Sequence, residues 1–165
     1  MLTARRACVQ NRTHWAVEGR GAWLREGDAA DVRIRCASFS ERDEGLVIVG
    51  SASHNTPETD AFVKDFASPK FTALGSSLKL LLVAEGAAHV YPRLAPTCEW
   101  DTAAAHAIVL EAGGQVLQAG ECDAKGKLLP GVEWRGALAA QQPVRYNKPN
   151  ALNPFFVVYG ARAIK

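Results

Sequence analysis

Long apolar runs are missing from this sequence. Runs such as Leu80–Ala84 and Phe155–Val158 fall well short of the roughly 20 residues needed to cross a bilayer, so neither a membrane helix nor a membrane partner is expected. One-signed charge is missing too. The 19 basic and 17 acidic residues leave a net charge of +2, which gives no electrostatic footing for nucleic acid. Cysteines at metal or redox spacing are also absent. Cys8, Cys36, Cys98 and Cys122 form no C-x-x-C pair, and none has a histidine at zinc spacing. They read as reduced thiols of a cytosol-like compartment, so a cytoplasmic location is expected. Acids are lacking from residues 1–13, which hold three arginines but no sustained amphipathic run. Residues 1–14 are therefore read as a disordered tail, the alternative being the stub of an organelle transit peptide.

What is present is one domain's worth of chain. There are 165 residues, 48% apolar and 22% charged, enough to bury a core without disulfides or metals. Trp15 and Trp23 bracket two apolar stretches that turn at Arg20-Gly21, which predicts a β-hairpin. Val32, Ile34 and Cys36 alternate with Arg33 and Arg35, as in a half-exposed strand. Leu46–Val49 is continuously apolar and suits a strand buried on both faces. Thr56-Pro57-Glu58 carries a cap, a first-position proline and an acid, the signature of a helix start, and Phe62 and Phe66 follow on its inner side. Gly75-Ser76-Ser77 opens a second helix with an apolar face of Leu78, Leu81 and Leu82, ending at Gly86. A third is expected from an Asp101 cap to Glu111, closed by Gly113-Gly114. Short strands are expected at His89–Tyr91, Val116–Leu117 and Phe155–Tyr159, with loop over residues 118–150. The alternation of strand and helix predicts an α/β fold with a mixed sheet.

Chemistry concentrates in three motifs. Glu99-Trp100-Asp101-Thr102-Ala103-Ala104 followed by Glu111-Ala112-Gly113-Gly114 sets a carboxylate at a helix start, where small neighbours let a ligand approach backbone N–H groups. An ordinary helix cap at Asp101 is the plain alternative. Gly75-Ser76-Ser77-Leu78-Lys79, Val83-Ala84-Glu85-Gly86 and Val90-Tyr91-Pro92-Arg93 place a lysine and an arginine close in sequence. A lysine offers a phosphate a point charge and an arginine a two-pronged fork. Lys79 could equally be a solvated lysine on a helix surface. Val49-Gly50-Ser51-Ala52-Ser53-His54 follows a buried strand, at the kind of strand end that lines sites in open sheets.

Together, W-D-x-A-A…E-A-G-G, G-S-S-L-K…V-A-E-G…Y-P-R, S-x-S-H and Leu152-Asn153-Pro154-Phe155-Phe156 resemble the inositol monophosphatase superfamily, and within it the 3′(2′),5′-bisphosphate nucleotidase branch. The resemblance runs from about Glu18 to Tyr159. It implies a layered α/β sandwich and a magnesium-dependent phosphatase acting on a small phosphorylated nucleotide or sugar. Asp101 would be a magnesium ligand. Ser76, Lys79, Arg93 and His54 would contact the substrate, with adenosine 3′,5′-bisphosphate converted to AMP and phosphate.

The family's D-P-x-D-G-T loop has no counterpart in this sequence. The chain is therefore read as a C-terminal portion: a tail at 1–14, remnant strands of a first-lobe sheet at 15–36, and the C-terminal lobe at 37–165. Inactivity of the chain alone is expected, as is self-association or docking of the missing lobe. Two other readings stay open: an inositol monophosphate phosphatase, and a non-catalytic remnant.

Overall fold

The computed structural model describes residues 2–7, 11–51, 56–75, 78–120 and 142–163. Two sheets face each other across a pair of helices. The first is antiparallel, with strands β1 (Leu2–Ala7), β2 (Arg12–Val17), β3 (Gly21–Glu26) and β4 (Val32–Ile34) in chain order. The second is mixed and ordered β7-β6-β8-β10-β9, from β6 (Val47–Ser51), β7 (Lys70–Leu74), β8 (Val90–Arg93), β9 (Gln115–Gln118) and β10 (Phe156–Tyr159). Strands β7 and β8 run parallel to β6, while β10 lies antiparallel to both β8 and β9. A small parallel pair joins β5 (Ser38–Phe39) to β11 (Ala161–Arg162).

Helices α2 (Leu78–Ala84) and α3 (Glu99–Glu111) fill the space between the sheets. Helix α1 (Pro57–Lys64) covers the far side of the mixed sheet. Strand β10 shows how the period of two builds both cores. Phe156 and Val158 point to the helices, among Leu80, Leu81, Ile108 and Val109. Val157 and Tyr159 point the other way, among Ile48, Phe62, Phe66 and Val90. All four residues of the strand are buried, so it reads as an unbroken apolar run.

Most elements follow from local signals. Thr56 caps α1, its Oγ1 accepting the Thr59 N–H at 3.3 Å, and Pro57 takes the first helical position. The hairpin turns through Gly19, which adopts φ +69°, and extends further on both sides than the apolar bracket predicts. Gly86 ends α2 with φ +76°, where an added Cβ would stand 2.9 Å from the Arg35 carbonyl oxygen. No side chain larger than hydrogen fits there.

The structure corrects several expectations. Residues 2–7 are a strand paired with β2 rather than tail, because the open ladder edge of β2 takes up their backbone groups. Helix α3 starts at Glu99, two residues before the expected cap, with Cys98 as N-cap. Glu99 N–H bonds the Ala151 carbonyl and Asn153 N–H bonds the Thr97 carbonyl, so a partner about fifty residues away fixes this helix start. In α2 the inward residues include Leu80 and Lys79, whereas Leu78 and Leu82 are only half-buried. Val32 is 62% exposed, lying at the end of the edge strand β4 beyond the cover of the helices.

Candidate functional site

The lysine of the G-S-S-L-K motif is not on the surface. Lys79 is 2% exposed. Its Nζ donates to the Leu74 carbonyl oxygen at 2.8 Å and sits 5.3 Å from the centre of the Tyr91 ring. Burial, with the Arg93 guanidinium adding to it, pushes its pKa down to about 8. Tyr91 is buried as well, and its pKa rises to about 12 through loss of water, partly offset by Arg93. Arg93 leaves the end of β8 half-buried, one Nη donating to the Pro96 carbonyl at 3.1 Å. Its Nε is buried and has no hydrogen-bond partner among the described residues. Two cations thus stand near each other in a poorly hydrated spot, and one of them holds an unused donor. Burying an unpaired N–H is costly, and an anionic oxygen would remove both the unsatisfied donor and the like-charge repulsion.

Asp101 presents a different picture. It is exposed, on the third residue of α3, and its Oδ2 accepts the Cys98 N–H at 3.0 Å. This is the carboxylate arm of a capping box. Its other oxygen has no hydrogen bond among the described residues. A hard carboxylate oxygen suits magnesium, which prefers six oxygen ligands. As one donor of a set Asp101 fits. As a complete site it does not, since among the described residues no group of three His, Cys, Asp or Glu side chains could hold a metal ion.

Beneath this turn lies a polar cluster that sequence reasoning missed. Thr102 Oγ1 donates to the Glu99 carbonyl at 3.3 Å and accepts from Tyr146 Oη at 3.2 Å and Asn153 Nδ2 at 3.0 Å. The same Asn153 amide reaches Thr97 Oγ1 at 3.1 Å and the Cys98 carbonyl at 2.8 Å. The Glu99 carboxylate accepts the backbone N–H groups of Asn147 at 2.8 Å and Lys148 at 3.1 Å, and pairs with Lys148 Nζ. At the other end of α3, Glu111 accepts the N–H groups of Gly19 and Gly21, each at 2.9 Å. That explains the glutamate of E-A-G-G as a clasp for the hairpin turn. Asn153 of the L-N-P segment thus braces the start of α3.

Of the residues singled out from sequence, Lys79 and Arg93 come together around Tyr91. Asp101 bonds only within its own helix start. His54 and Ser76 lie outside the described residues.

Comparison with known proteins sharpens this geometry. The profile of the "Inositol monophosphatase family" matches residues 6–154. The chain belongs to the inositol monophosphatase family. Among curated relatives, the 3′(2′),5′-bisphosphate nucleotidase CysQ of Salmonella typhimurium is 41% identical over 104 residues, 62% of this chain and 39% of that protein. CysQ of Escherichia coli (strain K12) is 40% identical over 111 residues, 67% of this chain and 42% of that protein. Among solved structures, CysQ from Bacteroides thetaiotaomicron superposes with a TM-score of 0.75 at 35% identity, over 99% of this chain and 59% of that one. Mycobacterium tuberculosis SuhB, at 21% identity and TM-score 0.61, shares the fold. The chain thus spans about two fifths of the length of these curated family members. The α/β architecture with its mixed sheet is that of the family.

Proposed function

We propose that this chain forms the phosphate-recognising part of a phosphomonoesterase of the bisphosphate nucleotidase type, with adenosine 3′,5′-bisphosphate as substrate and AMP and phosphate as products. One observation carries the reading: buried Lys79 beside Arg93, whose buried Nε has no hydrogen-bond partner among the described residues. A substrate with a single phosphate has less use for two cations, so the pair favours a nucleotide with two phosphates over an inositol monophosphate. The CysQ relatives, which are bisphosphate nucleotidases, support the same choice. In this assignment Lys79 and Arg93 grip the phosphate that is not cleaved, with Ser76 and His54 as further contacts. Asp101 contributes one carboxylate to a magnesium ion, the other ligands coming from outside the described residues. The ion, when bound, supplies charge neutralisation at the scissile phosphate.

The chain by itself is proposed not to turn over, because Asp101 is the single acid assigned to the metal. Its surface supports a role as one part of a larger assembly, either with a first lobe or by self-association. Along α3, Trp100 is 72% and Leu110 52% exposed, with Ala103 and Ala107 between them on the same face. Apolar stripes of this kind are seats for further chain or partners. A phosphate-release assay on the purified chain, with adenosine 3′,5′-bisphosphate and millimolar magnesium, tests the proposal. No release above background is expected. Release that vanishes in Asp101→Asn would mean that the chain completes its own site.

A further inference from the structure

The two ends of α3 are anchored separately. Glu111 ties the last turn to the hairpin through Gly19 and Gly21. The first turn is tied to residues that come some fifty positions later, through Thr102, Tyr146 and Asn153. Proton directions along this chain of bonds are fixed by its end. The Glu99 carbonyl can only accept, so the Thr102 hydroxyl donates to it. Thr102 must then accept from Tyr146, and the Tyr146 oxygen must accept from Nδ1–H of His106, 2.8 Å away. His106 is buried one turn further along the helix, and burial lowers its pKa to about 4, so at neutral pH the ring is neutral and the bond to Tyr146 calls for its Nδ1–H tautomer.

We infer that Tyr146 is a positioning residue: through Thr102 it holds the first turn of α3 and so sets the direction in which the Asp101 carboxylate points. The inference rests on the reading of Asp101 as a metal donor facing the ligand. The Tyr146 ring also lies 5.8 Å from Lys148 Nζ, which pairs with Glu99, so the ring and its hydroxyl brace the same turn from two sides. Phenylalanine keeps the ring and removes only the hydroxyl, which separates positioning from packing.

The test measures backbone amide exchange by NMR on the full chain, in the wild type and in Tyr146→Phe. Protection of the amides at Asp101–Ala104 should fall roughly two- to tenfold, the range for one lost hydrogen bond, while Ile108–Ala112 keeps its protection. Thr102→Val should reproduce the loss and Thr102→Ser, which retains the hydroxyl, should restore protection. Unchanged protection at the first turn, or an equal loss along all of α3, would overturn the proposal. Line broadening by Mn2+ supplies the second readout. It should centre on Asp101, disappear in Asp101→Asn, and need roughly two- to tenfold more Mn2+ in Tyr146→Phe. Broadening unaffected by Asp101→Asn would sink the metal reading of Asp101, while the exchange data still decide the positioning role. Broadening abolished by Asp101→Asn yet unmoved by Tyr146→Phe would overturn the positioning role itself.

Discussion

The cationic and acidic parts of the candidate site are built in opposite ways. Lys79 is buried, its charge disfavoured by lost water and by Arg93, and Arg93 Nε has no hydrogen-bond partner among the described residues. Asp101 is exposed and at rest in a capping box. A buried lysine with its pKa lowered, set beside a half-buried arginine, is an arrangement that an anionic oxygen would relieve. An exposed aspartate at a helix start needs no such relief. On the proposed reading, the described residues hold the phosphate-recognising cations, whereas the metal draws on groups beyond them.

The acidic part stands on a neutral histidine, which gives the largest expected effect. His106 has a folded pKa of about 4 against an ordinary 6.5. Between those values the unfolded chain binds the extra proton and the folded chain does not. Stability therefore falls as pH drops from 6.5 to 4, by on the order of 3 kcal/mol, and levels off below. Urea unfolding across that window checks it. His106→Asn, whose amide can stand near Nδ1, should flatten the slope.

Next comes the cationic part. Lys79→Met fills the same space without charge. It should lower affinity for adenosine 3′,5′-bisphosphate by about ten- to a hundredfold, the usual range for a charged hydrogen bond, without lowering the thermal midpoint. A loss of stability matching the loss of affinity would make Lys79 a structural residue. A smaller effect should follow pH. Lys79 sheds its proton as pH rises through about 8, so calorimetric affinity should decline there, and Lys79→Arg should remove the decline because arginine stays charged. The smallest effect belongs to Asp101. Asp101→Ala removes one capping bond and should cost about 0.5–1 kcal/mol in urea unfolding, with Asp101→Asn closer to neutral.

Sequence reading fared differently in the two parts. Helix α1 was legible because its cap, its proline and its first acid are local. Its apolar partners Phe62 and Phe66 were legible from spacing, and their rings do meet, 5.3 Å apart. Strand β7 was not, because it is an edge strand exposed along all five residues and carries no buried pattern. The start of α3 was misplaced because Asn153 and Ala151, far along the chain, fix it. Lys79 and Arg93 were picked out by motif, but the burial of Lys79 was not foreseen. The clue was a lone lysine inside Leu78–Ala84, an otherwise apolar helix packed between two sheets. The contacts of Tyr91 and Tyr146 were not foreseen because a tyrosine's partners are tertiary and leave no trace in local spacing.

The central claim is that Lys79 and Arg93 recognise a second phosphate. Isothermal titration of the chain with adenosine 3′,5′-bisphosphate and with AMP, in the wild type and in Arg93→Ala, tests it most directly. The wild type should bind the bisphosphate at least tenfold more tightly than AMP, and Arg93→Ala should bring the two affinities together, consistent with about 1.5–3 kcal/mol for a charged hydrogen bond. Equal affinities in the wild type, or an equal loss for both nucleotides in Arg93→Ala, would contradict the account.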